Sequence, residues 1–101
     1  MDCYWITQAG RDPVTMMQSL GPRVKLIHLK DRLPNVPPSQ TLNSAAEHFT
    51  GVGHGTVNWK AVFAQAEKQG IEHYFVEQDF STKNPVESIR ESYVYLRTVV
   101  S

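Results

Sequence analysis

The chain alternates between short apolar runs and longer segments in which apolar residues recur at every third or fourth position. The short runs have the length and the β-branched and aromatic content of buried strands. They cover residues 3–7, 23–31 and 73–77. Each run is followed by a segment with helical periodicity, so the predicted order is strand, helix, strand, helix, strand, helix. This order is typical of βα units with parallel strands.

The three predicted helices have clear start and stop signals. The first begins at Asp12, with proline next to the cap, and ends at Gly21. The second runs from a capping Asn58 to Gly70, and the third begins at Asn84, again followed by proline. Asp and Asn side chains accept hydrogen bonds from the free N–H groups of a first turn, and glycine ends helices. Their apolar stripes are Val14, Met17 and Leu20; Val62, Phe63 and Ala66; and Val86, Ile89, Tyr93, Leu96 and Val100.

Three parallel strands cannot close a sheet. An eight-stranded (β/α) barrel takes about 250 residues, so these 101 residues correspond to its last three βα units. We therefore predict an α/β fold, an incomplete TIM barrel over residues 1–101, with a long proline- and glycine-containing βα loop at 32–55. The alternative is an open three-stranded domain, which would leave its sheet edges and inner face uncovered.

Charge and cysteine content narrow the possible partners. Ten Lys and Arg residues balance ten Asp and Glu residues, and the sequence pI is near 6.9. Without a net positive field, nucleic acid and membrane surfaces are not expected partners. The single cysteine, Cys3, excludes an internal disulfide and zinc sites built from CxxC pairs. The first residues do not resemble a signal peptide, so we expect a cytoplasmic protein.

Three possible metal ligands stand at or near the ends of the predicted strands. They are Asp2, His28 and Glu77, one for each strand. Ligands of parallel α/β proteins gather at the carboxyl ends of the strands, and a mixed oxygen and nitrogen set suits several divalent cations. Each residue also has a structural alternative. His28 would be a hydrogen-bonded interior histidine, Glu77 a partner of Lys30, and Asp2 a solvated carboxylate.

Five short motifs, in order along nearly the whole chain, resemble the C-terminal part of the sugar phosphate isomerase/epimerase family, the xylose-isomerase-like TIM barrels. The motifs are Asp2-Cys3-Tyr4-Trp5 with Ala9-Gly10 and Asp12-Pro13; Ile27-His28-Leu29-Lys30-Asp31; Gly51-Val52-Gly53-His54-Gly55 with Val57-Asn58-Trp59; Val76-Glu77-Gln78-Asp79; and Ser92-Tyr93-Val94-Tyr95-Leu96. Together they indicate the superfamily more strongly than the substrate.

The resemblance implies one divalent metal, with Mn²⁺ as the first expectation and Mg²⁺, Co²⁺, Fe²⁺ or Zn²⁺ as alternatives. Asp2, His28 and Glu77 match the ligands of barrel strands six, seven and eight. The ligand glutamate of strand five has no counterpart here. In the epimerases of the family that glutamate and the one matching Glu77 form an acid/base pair, so Glu77 is also the expected catalytic residue.

Two further residues near the predicted strand ends are candidates for substrate binding. Lys30 lies two residues beyond His28, on the same side of an extended strand, and would hold a substrate hydroxyl or phosphate. Its alternative is a solvated lysine paired with Asp31 or Glu77. Trp5 would form an apolar wall against a sugar, or would simply contribute to packing. His54 stands where the family usually has glutamate, which puts any role of that glutamate in doubt.

The expected function is proton transfer alpha to a carbonyl of a sugar or sugar phosphate, through a metal-stabilised enediolate. With one metal ligand missing, we expect the isolated chain to be inactive or nearly so, and to require the missing N-terminal barrel segment or self-association. A dehydratase of the same family and a non-catalytic binding or assembly module are the alternatives. The related zinc-dependent DNA-repair endonucleases are disfavoured by the zero net charge.

Overall fold

The computed structural model describes residues 1–34, 48–78 and 84–99. The helices are α1 (Cys3–Gln8), α2 (Pro13–Leu20), α3 (Trp59–Gln69) and α4 (Pro85–Val99), with a 3-10 turn at Gly21–Arg23. The strands are β1 (Leu26–Leu29), β2 (Asp31–Arg32), β3 (Phe49–Thr50) and β4 (His73–Val76). In these described parts, no helix is both long and apolar enough to cross a lipid bilayer.

The first predicted strand is wrong, because residues 3–7 lie in helix α1. Asp2 caps this helix by accepting a hydrogen bond from the backbone N–H of Trp5. The extended segment is confined to Met1 and Asp2, where the backbone N–H of His28 donates to the carbonyl of Met1 at 2.7 Å. The segment after Asp2 is therefore helical despite its aromatic and β-branched content.

The other two predicted strands are confirmed and form a parallel pair. Strand β1 pairs with β4 in the register Leu26 to His73 and His28 to Phe75. On the other side of β1, Asp2 forms an isolated parallel bridge with His28. The order across the sheet is therefore Asp2, β1, β4, and the carboxyl ends of the three segments lie at one edge.

The predicted long loop at 32–55 has ordered ends. Strand β2 pairs antiparallel with β3, with Asp31 opposite Thr50 and Arg32 opposite Phe49. Residues 35–47 lie outside the described residues, so the loop as a whole stays a prediction. The pairing brings the glycine-rich segment after β3 back to the end of β1.

The core lies on the side of the sheet covered by α2 and α3. The predicted ends of these helices are confirmed, since Asp12 and Asn58 accept capping hydrogen bonds and Gly70 closes α3 with a left-handed backbone. The buried cluster includes Cys3, Met17, Ile27, Leu29, Val52, Trp59, Val62 and Ala66. The apolar stripe of α3 is thus used in the way its periodicity predicts.

Helix α4 also begins where predicted, but most of its described apolar stripe is exposed. Asn84 accepts hydrogen bonds from the backbone N–H groups of Val86 and Glu87. The buried residues of the helix are Ser88 and Ser92. Among the described residues, the exposed large apolar side chains are Leu26, Phe75, Val76, Val86, Ile89, Tyr93 and Val94. Leu26 and Phe75 share with His28 the open face of the sheet, which is the inner face of the predicted barrel, Val76 lies on the opposite face beside Leu29, and the other four are on α4.

Candidate metal centre

Asp2 reaches the edge of the sheet because two constraints act on it. Its backbone is held beside β1 by the bridge to His28. Its Oδ1 accepts the capping hydrogen bond from the Trp5 N–H at 3.1 Å. The carboxylate is thereby oriented with its other oxygen, Oδ2, toward the side chains of His28 and Lys30.

His28 and Lys30 reach the same place because side chains alternate along an extended strand. Ile27 and Leu29 point into the core and are buried, whereas His28 lies on the opposite, open face. Glu77 follows β4 directly, and its backbone N–H donates to the carbonyl of Leu29 at 3.0 Å. The parallel register therefore sets Glu77 beside the end of β1.

The three predicted ligands converge. Asp2, His28 and Glu77 each offer a ligand atom within 4.8 Å of the others. His28 Nδ1 lies 3.6 Å from Asp2 Oδ2 and 3.1 Å from Glu77 Oε1. Ligand atoms bound at roughly 2.1 Å to one cation are separated by about 3.0–3.4 Å. Two carboxylate oxygens and an imidazole nitrogen are a donor set that suits a divalent cation.

Lys30 is part of the same cluster. Its Nζ lies 2.9 Å from Asp2 Oδ2 and 3.2 Å from Glu77 Oε1. Of the two pairings considered for Lys30 from the sequence, the one with Glu77 is present, and Asp2 is an additional partner. The side chain is only 4% exposed, so this lysine is buried rather than solvated.

Trp5 lies in the first turn of helix α1. Its ring meets Tyr4 edge-on at 5.0 Å between centroids and Phe49 at 6.3 Å. Its backbone N–H donates a hydrogen bond to the capping Asp2 Oδ1. These contacts give the ring a packing role in the described residues, and sugar binding by Trp5 stays a prediction.

Asp31 is a buried residue whose importance the sequence did not reveal. It follows Lys30 but points the other way, and its side chain is fully buried. Its Oδ2 accepts hydrogen bonds from the N–H groups of Gly53 and Gly55 and from the indole of Trp59 at 2.7 Å. Its Oδ1 accepts from the backbone N–H of Val57 at 3.2 Å. This carboxylate fastens the glycine segment and α3 to the end of β1.

Glycine is required at two points of that segment. A Cβ at Gly55 would overlap the Arg32 carbonyl and the Asp31 carboxylate, and a Cβ at Gly53 would overlap the ring of Tyr95. Gly53 also has a positive φ of 94°. The turn formed by these glycines is thus tied to Asp31, and a sequence offers no local signal for such a contact.

Cys3, next to Asp2, contributes nothing reactive. Burial, assisted by the nearby negative charge of Asp2, raises the pKa of its thiol from 9.0 to about 12. The thiol therefore stays protonated at neutral pH, and a protonated thiol is neither a nucleophile nor a metal ligand.

These features define a class of protein: a parallel α/β unit with an oxygen and nitrogen cluster at the carboxyl ends of its strands. No family model matches the chain, and comparison with curated proteins finds no match. Solved structures do match. A sugar phosphate isomerase/epimerase from Parabacteroides distasonis ATCC 8503 superposes with a TM-score of 0.68 and 28% identity over 96% of this chain.

A second structure, also described as a sugar phosphate isomerase/epimerase from Parabacteroides distasonis ATCC 8503, gives a TM-score of 0.72 and 29% identity over 95% of this chain. The chain spans only 29% and 28% of the lengths of these two proteins. The similarity confirms the resemblance to the sugar phosphate isomerase/epimerase family that the sequence motifs predict.

Proposed function

We propose that this chain is part of a metal-dependent sugar or sugar phosphate isomerase or epimerase and supplies three of its metal ligands. The observation that carries the proposal is the convergence of Asp2, His28 and Glu77 within 4.8 Å. Similarity in both structure and sequence to proteins described as sugar phosphate isomerase/epimerases supports it.

Each residue would have a defined task. Asp2 Oδ2, Glu77 Oε1 and one imidazole nitrogen of His28 would hold the cation, with Mn²⁺ as our first choice. A bound divalent cation polarises a carbonyl and so increases the acidity of the neighbouring C–H group. Glu77 is half-exposed, and its second oxygen, Oε2, would accept that proton and return it.

The exposed apolar surface supports the partial-barrel interpretation. Phe75 is 53% exposed on the inner face of the sheet, and Ile89 is 60% exposed on α4. Exposed large apolar side chains on two surfaces of one small chain indicate surfaces that are covered by further protein. In a closed barrel, further βα units would cover the sheet edge, the inner face and the outward side of α4. The matched proteins are more than three times as long as this chain, so they have residues enough for those units.

The metal site is tested by Mn²⁺ titration of the purified chain. Calorimetry or electron paramagnetic resonance should show one site per chain, which His28→Ala and Glu77→Gln each remove. His73→Ala and Glu72→Gln are matched controls, since both residues are exposed and should leave binding unchanged. If the controls lose binding as much as the ligand variants do, or if the chain binds no Mn²⁺ even when Lys30 is replaced by an uncharged residue, the metal site is wrong.

The partial-barrel interpretation is tested by complementation. We expect the chain alone to be inactive. When it is co-expressed with the part of a matched Parabacteroides distasonis protein that this chain does not cover, it should catalyse deuterium exchange alpha to the carbonyl of ketoses or their phosphates. Glu77→Gln should abolish that exchange. Efficient turnover by the purified 101-residue chain would refute this interpretation.

The same apolar surface favours one alternative, a non-catalytic assembly module. This alternative requires the apolar surface to be buried against a partner or a second copy of the chain, while the Asp2, His28 and Glu77 cluster has no function. Sedimentation analysis combined with the Mn²⁺ titration separates the two. Stable self-association without any metal binding would favour the assembly module over the enzyme.

A further inference from the structure

Lys30 and His28 approach the same two oxygen atoms from the same strand. Lys30 Nζ lies 2.9 Å from Asp2 Oδ2 and 3.2 Å from Glu77 Oε1. These are also the oxygens nearest to His28 Nδ1, at 3.6 Å and 3.1 Å. The atoms that would bind a divalent cation are therefore already paired with an ammonium group.

The burial of Lys30 makes this pairing more than a surface ion pair. Its side chain is 4% exposed, compared with 35% for His28 and 38% for Glu77. A buried ammonium needs anionic partners, because it loses most of its hydration. Conversely, two carboxylates this close together repel each other unless a positive charge lies between them.

We propose that Lys30 is the internal counter-ion of the metal-free site and competes with the divalent cation for Asp2 and Glu77. This proposal rests on the proposed metal site. The ammonium stabilises the two carboxylates when no cation is bound. When a cation binds, ammonium and metal charges repel each other at short range in a partly desolvated site, so the ammonium has to withdraw from the oxygens. Lys30 thereby lowers the affinity of the site for metal.

Competition differs from the two roles that the sequence suggested for Lys30. A lysine that only holds substrate would leave Mn²⁺ affinity unchanged when replaced. A lysine that only positions the carboxylates would lower that affinity when replaced. Competition predicts the opposite sign, because removing the ammonium frees both oxygens for the cation.

The test compares Mn²⁺ binding by the wild-type chain, Lys30→Met and Lys30→Gln. Methionine keeps the unbranched apolar stem, and glutamine keeps a polar end without the charge. Both variants should bind Mn²⁺ about tenfold more tightly or better. Lys60→Met is the matched control, because Lys60 is exposed on α3, and its affinity should equal that of wild type.

Thermal unfolding gives a second readout. Without Mn²⁺, Lys30→Met should melt at a lower temperature than wild type, since two neighbouring carboxylates have lost their counter-ion. With saturating Mn²⁺ that difference should shrink or reverse, because ligand binding stabilises the folded state in proportion to its affinity.

The outcomes separate this inference from the proposed function. If wild type binds Mn²⁺ and the Lys30 variants bind it equally or more weakly, competition is wrong while the metal site stands. If neither the wild-type chain nor a Lys30 variant binds Mn²⁺, both proposals are wrong, because removal of the competing charge should have exposed the site.

Discussion

Helices α3 and α4 have the same local sequence signals, but α3 packs against the core whereas most of the apolar stripe of α4 is exposed. Both begin at a capping asparagine, Asn58 or Asn84, and both have an apolar stripe. Helix α3 buries that stripe, so that Val62 is 1% exposed, whereas Val86 on α4 is 64% exposed. Capping and periodicity therefore indicate where these two helices lie, while the available partner surface decides which side is buried.

Substitution of Asp31 should cause the largest loss of stability, because its carboxylate holds the glycine segment and α3 in place. Asp31→Ala leaves the N–H groups of Gly53, Gly55 and Val57 and the indole of Trp59 without their acceptor. We expect a loss of about 3–5 kcal/mol of stability, because the donors are desolvated without compensation. Chemical denaturation with circular dichroism measures this loss.

Asp31→Asn keeps the volume but turns one acceptor into a donor facing N–H groups, so it should cost nearly as much as Asp31→Ala. Asp12→Ala is the matched control, since it removes only an exposed helix cap and should cost about 1 kcal/mol. If Asp31→Asn is as stable as wild type, the hydrogen bonds of Asp31 do not stabilise the packing of the glycine segment and α3.

One alanine substitution on each helix tests whether the apolar side chains of α3 and α4 differ in burial. Val62→Ala should cost about 2 kcal/mol, because it leaves a cavity in the core. Val86→Ala should change stability by less than about 0.5 kcal/mol, because the side chain is exposed and alanine is the better helix former. Equal losses measured by urea denaturation would mean that α4 is covered in solution.

The thiol of Cys3 is a natural probe of how well the core excludes solvent, because it requires no substitution. The folded pKa of about 12 lies above the ordinary value of 9.0, so the folded state keeps its proton longer than the unfolded state does. The stability linked to this thiol is therefore complete below pH 9 and is lost as the pH rises from 9 toward 12.

We expect iodoacetamide to alkylate native chain at pH 9 at least about tenfold more slowly than urea-unfolded chain. The Cys3→Ala variant should show a smaller loss of stability above pH 9 than wild type. Rapid alkylation of the native chain would contradict the burial of Cys3.

The smallest effect is expected from Ile89→Lys on the exposed side of α4. Ile89 is 60% exposed, so the free energy of unfolding should change by less than about 0.5 kcal/mol. The substitution should nevertheless weaken self-association or complementation, because it places a charge in the apolar surface. Sedimentation velocity measures the change in self-association, and the activity of the co-expressed parts measures the change in complementation. A large loss of stability would show that Ile89 is buried by the chain itself.

The parts that the sequence predicted well depend on short-range signals. Asp12, Asn58 and Gly70 mark helix ends through contacts within one turn, and the structure confirms all three. The convergence of Asp2, His28 and Glu77 followed from a general property of parallel sheets, whose strand ends lie together. That inference survived although the first predicted strand was wrong, because Asp2 itself still pairs with His28.

The parts that could not be predicted depend on distant partners. Besides the N–H of the adjacent Arg32, the groups that donate hydrogen bonds to Asp31 lie 22 to 28 residues away along the chain, and no local pattern distinguishes Asp31 from a solvated aspartate. The double pairing of Lys30 likewise required the register of β1 against β4, since a shift of one residue would turn its side chain to the other face.

Local signals in the sequence specify where α2 and α3 begin and end, where α4 begins, and two of the three predicted strands, because these follow from hydrogen bonds within one turn and from alternation along a strand. The packing of the folded chain specifies that residues 3–7 are helical, that α4 exposes most of its apolar stripe, and that the ammonium group of Lys30 pairs with the oxygens of the candidate metal site. These outcomes depend on which surfaces and charges become neighbours after the chain folds, and their energies are set by burial and distance rather than by residue type.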